Sequence, residues 1–301
     1  MAKRKTRGLY HGYLIIDKPA GMTSHDVVGR VRRALGEKRV GHAGTLDPAA
    51  VGVLPIAVGL ATRTVEYLSE SSKSYLAEVT FGVTTDSADI DGTVIDIRDS
   101  STLSRERIGE IVSAFAGPQM QVPPMHSAIK IDGQRMYDLA RRGETVDLPA
   151  RPITIHEIAL ISWEAPVATV FVHCSKGTYI RSLARDMGEQ AGVGAYMSNL
   201  VRVQTGPFTL ADAIRLDELD DLLQREPWEQ IAVHPDASLM DREAIILGAD
   251  AAASWRNGNP VALTGARGVV RVYYGNGNWL GVGQAIEEEH LLRPVKVVSE
   301  S

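Results

Sequence analysis

Lys38 to Arg63 reads KRVGHAGTLDPAAVGVLPIAVGLATR, and two kinds of structure meet inside it. VGVLPIAVG (51–59) is a short apolar run bounded by glycine, suited to a buried strand. GHAGTLDP (41–48) is a loop, in which Gly41 and Gly44 can take positive φ or let the backbone pass close to a ligand. Asp47 precedes Pro48, which keeps it out of the helical region and presents its carboxylate from a stiff, extended backbone. An Asx-type turn with a solvated aspartate is the ordinary reading of an Asp-Pro pair. His42 nearby also permits a hydrolase reading, but no GxSxG elbow and no third partner accompany it.

On the N-terminal side, His11 to Asp17 reads as a strand and KPAG as a turn. Ser24 is placed to cap a helix whose apolar face is Val27, Val28, Val31 and Leu35, with Gly36 to end it and Arg30, Arg32 and Arg33 on the opposite face. On the C-terminal side, Ala61 to Leu68 reads as a helix. Tyr75 to Phe81 alternates, with Tyr75, Ala77, Val79 and Phe81 on one face, which predicts a strand; IDGTVIDI (90–97) reads as its hairpin partner. Residues 118–152, rich in proline, methionine and basic groups, are expected to leave the main sheet as an insertion with a short helix around Met136–Arg141. Strands resume at Thr154–Ser162 and Ala168–Cys174. Thr178 is placed to cap a helix running to Gln190, with Ile180, Leu183 and Met187 as its core stripe, and Leu200–Thr205 reads as a further strand. The acidic stretch Asp212–Glu229 looks helical and then linker-like. From about Asp236, short strand-like runs broken by turns such as GNGN take over. Strands and helices without regular βαβ alternation predict an α+β fold: a mixed, mostly antiparallel central sheet with flanking helices at 9–235, then a small β-barrel-like domain at 236–298.

The 301 residues are 44% hydrophobic and 23% charged, an ordinary soluble composition. No apolar run approaches the roughly eighteen residues of a membrane span, and Tyr13–Ile16 is too short for a signal-peptide core, so a cytoplasmic location is expected. Cys174 is the single cysteine, which excludes a disulfide framework and a cysteine-based zinc site within one chain. The histidines show no metal-ligand spacing. There is no Walker loop, no GxGxxG after a strand and no HExxH, and GNGNWLGVG around Trp279 fits a hairpin turn better than a phosphate loop. Any chemistry is therefore expected to run on a carboxylate, without metal or cofactor. The net charge of −5 is unevenly spread: residues 1–50 carry ten Lys/Arg against four Asp/Glu, and residues 201–250 four against eleven. That distribution fits either a nucleic-acid-facing front or ordinary surface variation.

GYLIIDKPAGMTSHDVV (12–28) and the 38–63 segment together resemble the signature motifs of the bacterial tRNA pseudouridine-55 synthases, the TruB family. The likeness continues through SKSYLAEVTFG (72–82), TTDSADIDG (84–92), VPPMHSAIKIDGQRMYDLARRG (122–143), ARPITIHEI (150–158), HCSKGTYIRSLARDMG (173–188) and YMSNLVRVQTGPF (196–208), in the family's order. The resemblance implies isomerisation of a flipped-out uridine in the T arm of tRNA, with no cofactor, no required protein partner, a monomeric enzyme and a C-terminal module of the PUA RNA-binding type. It implies Asp47 as the catalytic carboxylate and Arg181 as its partner, a pairing expected to hold the carboxyl below its usual range. It makes Tyr75 the residue that stacks on the base and moves a proton, and Leu200 the apolar wall opposite. It puts His42 in the gap left by the flipped base, Tyr179 among the substrate-binding groups, and Lys18 with Pro19 as a buttress of the loop. Lys130, Arg135, Arg141 and Arg142 fall in the insertion that closes over the T arm, where phosphate contacts suit them. A synthase of the RNA-guided type and a tRNA-folding chaperone are the rival readings.

Overall fold

The computed structural model describes residues 10–124 and 148–298, with the backbone alone of 130–131 and 134–135. The chain opens with β1 (Gly12–Lys18), α1 (Ser24–Leu35), β2 (Val40–His42) and β3 (Val51–Val58). Thr23, not Ser24, caps α1. Its hydroxyl accepts the Asp26 N–H at 3.1 Å while the Asp26 carboxylate accepts the Thr23 N–H at 2.8 Å, a reciprocal capping box. Ser24 is thereby inside the helix, buried, and turned toward the loop before β3. Gly36 closes α1 in the left-handed conformation.

The expected helix after β3 is split into a 3-10 turn, Gly59–Arg63, and α2 (Val65–Glu70). The break is at Thr64, whose buried hydroxyl bonds to the Ala61 and Pro235 carbonyls and to Tyr13 Oη. β4 (Lys73–Phe81) shows the anticipated alternation, with Tyr75, Ala77, Val79 and Phe81 buried. β5 (Val83–Thr85) and β6 (Val94–Ile97) follow. IDGTVIDI is not the partner of β4: it pairs with β5 as a separate ribbon, because other strands occupy both edges of β4.

α3 (Arg105–Ser113) leads to β7 (Gly117–Gln121), the short β8 (Lys130–Ile131) and β9 (Gln134–Arg135), and the long β10 (Arg151–Glu164). β7 and β10 pair from Arg151–Gln121 to Ile155–Gly117. Both ends of the expected 118–152 insertion therefore belong to the main sheet, as an outer pair where Pro118 and Pro152 are tolerated. The anticipated helix at 136–141 lies outside the described residues. β11 (Val167–Cys174), α4 (Ile180–Ala191), β12 (Ala195–Thr205), β13 (Phe208–Thr209), β14 (Ile214–Arg215), α5 (Leu219–Arg225) and α6 (Trp228–Ile231) complete this part. Thr178 does not cap α4, since its hydroxyl donates to the Ser175 carbonyl at 3.0 Å and Tyr179 takes the cap position. The acidic stretch is an edge strand and two short helices rather than one helix. Its Asp220 accepts from Arg30 of α1 at 3.0 Å, so part of the charge segregation seen in sequence is internal pairing.

Among the described residues the main sheet has ten strands, ordered β14-β1-β3-β12-β4-β11-β10-β7, with β2 on β3 and β13 on β12. Only the β1–β14 and β3–β12 pairs are parallel. α1, α3 and α4 bury Val27, Ile108, Ile111, Leu183 and Met187 in one core with β1, β3, β4 and β11, while Tyr13, Val53, Leu68 and Phe208 belong to a second core cluster. The fold is α+β, with a mixed and mostly antiparallel central sheet.

After a 3-10 turn at Pro235–Leu239 come β15 (Ala244–Leu247), α7 (Ala249–Arg256), β16 (Val261–Ala262), β17 (Gly268–Tyr274), β18 (Trp279–Ile286) and β19 (Leu291–Val297). They form a five-stranded sheet, β15-β17-β18-β19-β16, around Trp255, Val270, Val272 and Leu292. GNGN (275–278) joins β17 to β18, so it is a hairpin turn. Leu239, Trp279, Val282 and Val298 pack against Leu60 and Tyr67 of the main unit, and Arg63 Nη1 donates to the Val297 carbonyl at 2.6 Å. No helix of the described residues is long and apolar enough to cross a membrane.

Candidate active site

The loop between β2 and β3 is held by its own carbonyls. Five successive ones, Gly44 to Pro48, each accept a hydrogen bond. Gly44 and Thr45 are bound by Arg202 Nη2 at 3.1 Å and Nη1 at 3.2 Å. Leu46 is bound by Ser24 Oγ at 3.1 Å, and its own N–H donates back to that hydroxyl at 2.9 Å. Asp47 is bound by the Ala50 N–H at 3.1 Å, and Pro48 by the Gly21 N–H at 2.9 Å and Lys18 Nζ at 3.1 Å. Ala43, Leu46 and Ala50 are buried, so apolar anchors flank the polar ones. Gly44 takes a φ of +105°, as its place in the motif anticipates. Gly52 takes +100°, and a Cβ there would stand 2.3 Å from the Arg202 carbonyl, which restricts this position to glycine. With these five carbonyls tied, the backbone that carries Asp47 is preorganised.

Arg181, in the first turn of α4, meets Asp47 and Asp89 together. Its Nε lies 3.1 Å from Asp47 Oδ2, Nη2 is 3.5 Å from Asp47 Oδ1, and Nη1 is 3.2 Å from Asp89 Oδ2. Asp89 is fixed in turn by the Ser87 hydroxyl at 2.5 Å and the Asp91 N–H at 3.1 Å. The start of α4 is locked by the buried Gln121 of β7, which accepts the Tyr179 N–H at 2.8 Å and donates to the Tyr179 carbonyl at 3.1 Å. Burial pushes the Asp47 carboxyl above its ordinary value; Arg181 and Lys18 pull it down, and Asp89 and Asp91 push it up. The expected depression does not occur, because one guanidinium is shared between two carboxylates and desolvation outweighs its pull.

A cavity of about 450 Å³ opens over these groups. Asp47 is the only carboxylate among the described residues that line it. Its side chain is 38% exposed, while that of Arg181 beside it is 7% exposed. Tyr75, Ile180, Met197 and Leu200, all buried, supply the apolar walls, and Tyr179 stands at the side of α4. Strand register explains part of this. Arg202 lies opposite Tyr75 and Leu200 opposite Ala77 across the β12–β4 pair, so Tyr75, Leu200 and Arg202 share one face. Burial raises the Tyr75 hydroxyl, and neighbouring Arg202 opposes that shift. Lys73, also in the lining, donates to the Ser69 and Ser71 carbonyls at 2.7 and 2.6 Å, and burial lowers its ammonium to about 8.

Of the residues expected from sequence, Asp47, Tyr75, Tyr179, Arg181 and Leu200 come together around this cavity. Lys18 does not line it. It is fully buried behind the loop, donating to the Pro19 and Pro48 carbonyls, and burial lowers it to about 8. His42 is also outside the lining, its ring 6.2 Å from that of His25. Burial, then the neighbouring His25 and Arg202, lowers it and favours the neutral ring. Lys130 is in β8 and Arg135 in β9, of which only the backbone is described; Arg141 and Arg142 lie outside the described residues. Asp89, Gln121, Lys73 and Arg202 were not singled out from sequence, and Ser24 was read only as a helix cap. Arg202 alone left a signal, a charge at an inward position of the alternating strand that carries Leu200. Among the described residues no group of three His, Cys, Asp or Glu side chains could hold a metal ion.

Comparison with known proteins places this geometry among its relatives. Residues 32–180 match the family model of the TruB family pseudouridylate synthase N-terminal domain. Residues 181–246 match that of the tRNA pseudouridylate synthase B C-terminal domain, and residues 244–298 that of the pseudouridine synthase II TruB C-terminal region. The tRNA pseudouridine synthase B of Geobacter sulfurreducens is 43% identical over 83% of this chain and 82% of its own. That of Trichormus variabilis is 42% identical over 91% and 94%, and that of Symbiobacterium thermophilum 52% over 69% and 71%. Among solved structures, an H/ACA ribonucleoprotein bound to a substrate RNA containing 2'-deoxyuridine superposes with a TM-score of 0.75 at 25% identity, over 96% of this chain and 86% of that one.

Proposed function

Because the chain belongs to the TruB family of pseudouridine synthases, we propose that it isomerises a uridine in the T loop of tRNA, at position 55, to pseudouridine, with Asp47 as the catalytic carboxylate. The observation that carries the residue assignment is the lining of the cavity: one carboxylate, gripped by a buried guanidinium, facing an apolar slot. The reaction breaks N1–C1′, turns the base, and joins C5 to C1′; the proton that leaves C5 is matched by one gained at N1, so product and substrate are isomers. A base must leave the helical stack to reach such a slot. Tyr75 on one side and Leu200 with Met197 on the other suit a planar ring and keep water from the cleaved intermediate. Tyr75 also carries the hydroxyl suited to moving the C5 proton. Arg181 holds the Asp47 carboxylate in one orientation and favours its ionised form against the desolvation that opposes it.

Tyr179 is assigned to substrate binding, Lys18 to buttressing the loop, and His42 to the space vacated by the base. Lys130, Arg135, Arg141 and Arg142 are assigned to phosphates of the T arm. Residues 9–235 form the catalytic domain in this reading, and 236–298 a PUA-like RNA-binding module. The protein acts as a cytoplasmic monomer without a protein partner. Relatives named tRNA pseudouridine synthase B, matched over most of both chains, support the stand-alone form over an RNA-guided one. The test is incubation of purified protein with T-arm RNA and no added cofactor, followed by mass mapping of the product. Pseudouridine at the single T-loop position is expected, and unchanged uridine there would overturn the proposal.

A further inference from the structure

We propose that Arg202 is a positioning residue of this site, one guanidinium that ties the Asp47 loop to the strand that follows it, at the wall shared with Tyr75. The inference rests on the roles given above to Asp47 and Tyr75. Arg202 is 1% exposed, and no carboxylate lies within ion-pair distance of it among the described residues. Its Nε donates to the Val53 carbonyl of β3 at 2.8 Å, while Nη1 and Nη2 donate to Thr45 and Gly44 of the loop. One planar group thus spans the loop and the strand that follows it, and it binds two of the five carbonyls that hold Asp47 in place. Its own strand places it opposite Tyr75, at the cavity wall. A buried guanidinium without an ion-pair partner is costly, and here three backbone carbonyls offset the cost by accepting its N–H groups. Lys73, the neighbouring buried cation, binds carbonyls of 69 and 71 and makes no such link to the loop.

Arginine's fork is essential to this role and its charge is a separable second part, which gives the test two arms. In the full-length protein, Arg202→Lys keeps the charge but cannot reach three carbonyls in two elements; Arg202→Met loses both. Both variants should bind T-arm RNA with unchanged Kd, and both should slow single-turnover pseudouridine formation at saturating RNA by about a hundredfold, the scale of an ångström-level misplacement. The pH profile separates them. Asp47 is faced by Arg181, Lys18, Asp89 and Asp91, and the Arg202 charge also interacts favourably with it, so removing that charge leaves the carboxyl harder to ionise. The acidic limb of the rate should therefore move to higher pH in Arg202→Met and stay in place in Arg202→Lys. A lower melting temperature with a wild-type rate in the folded protein would reduce Arg202 to packing and overturn the proposal. If neither variant folds, Gly44→Ala disturbs the same contact from the loop side, because alanine is strained at φ +105°; slow chemistry with intact binding is expected, and a wild-type rate overturns the proposal. Wild-type protein runs beside each variant: its failure to make pseudouridine would fall on the functional reading, not on Arg202.

Discussion

Arg181 divides one guanidinium between Asp47 and Asp89, and that division decides how the site should respond to pH. The Asp47 carboxyl is raised above its ordinary 3.8, so the single-turnover rate should fall on acidification at a higher pH than an unperturbed aspartate would give. Arg181→Lys should deepen this effect, because a point charge cannot serve two carboxylates with a fork. We expect a rate loss of about tenfold or more and an acidic limb displaced upward; a fully active lysine variant would mean that charge alone suffices. For stability the sign is opposite to that of a stabilising ion pair. A folded-state value above the unfolded one means that ionised Asp47 lowers stability at neutral pH, a penalty that shrinks as pH falls through the folded value and vanishes below 3.8. At Tyr75, phenylalanine preserves stacking and leucine loses it, at about 1–3 kcal/mol per base. Both variants should be slow in chemistry, and only Tyr75→Leu should also bind RNA weakly; wild-type rates from both would remove Tyr75 from the site. Asp47, Tyr75 and Arg181 were legible because each occupies a recognisable motif. Asp89 and Arg202 stand in the quoted segments TTDSADIDG and YMSNLVRVQTGPF, but no sequence pattern assigned them a role, because their contacts to Arg181 and to the Gly44, Thr45 and Val53 carbonyls exist only in the folded chain.

α1 illustrates how an element serves the site through adjacent residues with different roles. Thr23 caps the helix, whereas Ser24 faces inward and exchanges two hydrogen bonds with Leu46, next to Asp47. Thr23→Ala should therefore cost about 1 kcal/mol of stability and leave the saturated rate unchanged. Ser24→Ala leaves a buried N–H and carbonyl unpaired, about 1–3 kcal/mol for each, and should also slow the chemistry by loosening the loop. Denaturant midpoints and single-turnover rates on both variants check this; equal effects on rate would show that the helix acts only as packing. The existence of α1, β4, β11 and α4 was legible from their one-sided apolar patterns, and that of β3 from a continuous apolar run. The misplaced caps at Ser24 and Thr178 differ from the observed ones by one residue: the Ser24 hydroxyl is taken by the distant Leu46 carbonyl, and that of Thr178 turns back to the Ser175 carbonyl. The pairing of IDGTVIDI was misjudged because sequence does not reveal that β11 and β12 already flank β4.

For the molecule as a whole, the smaller sheet is joined to the larger by apolar packing of Leu60 and Tyr67 on Leu239, Trp279 and Val298. A polar joint adds to it, in which the Asp236 carboxylate accepts from His234 at 2.6 Å and from Tyr273. The turn at Pro235–Leu239 also binds the main unit through Thr64, so a truncation that respects the fold ends after Met240 rather than before Asp236. Removing 241–301 should weaken tRNA affinity and reduce stability by exposing Leu60, Tyr67 and Leu239, while the saturated single-turnover rate stays close to that of the full chain; a folded truncation that binds normally but does not turn over would place the smaller sheet within the catalytic machinery. The central claim, that one carboxylate in this cavity performs the isomerisation, is tested most directly by Asp47→Asn. The amide keeps the shape and loses the ionisable oxygen, and by the linkage above it should fold at least as stably as the wild type at neutral pH. Pseudouridine formation is to be followed by mass mapping in a single turnover with T-arm RNA in the bound state. The account predicts wild-type affinity with no product; product formed at a rate near that of the wild type would contradict it.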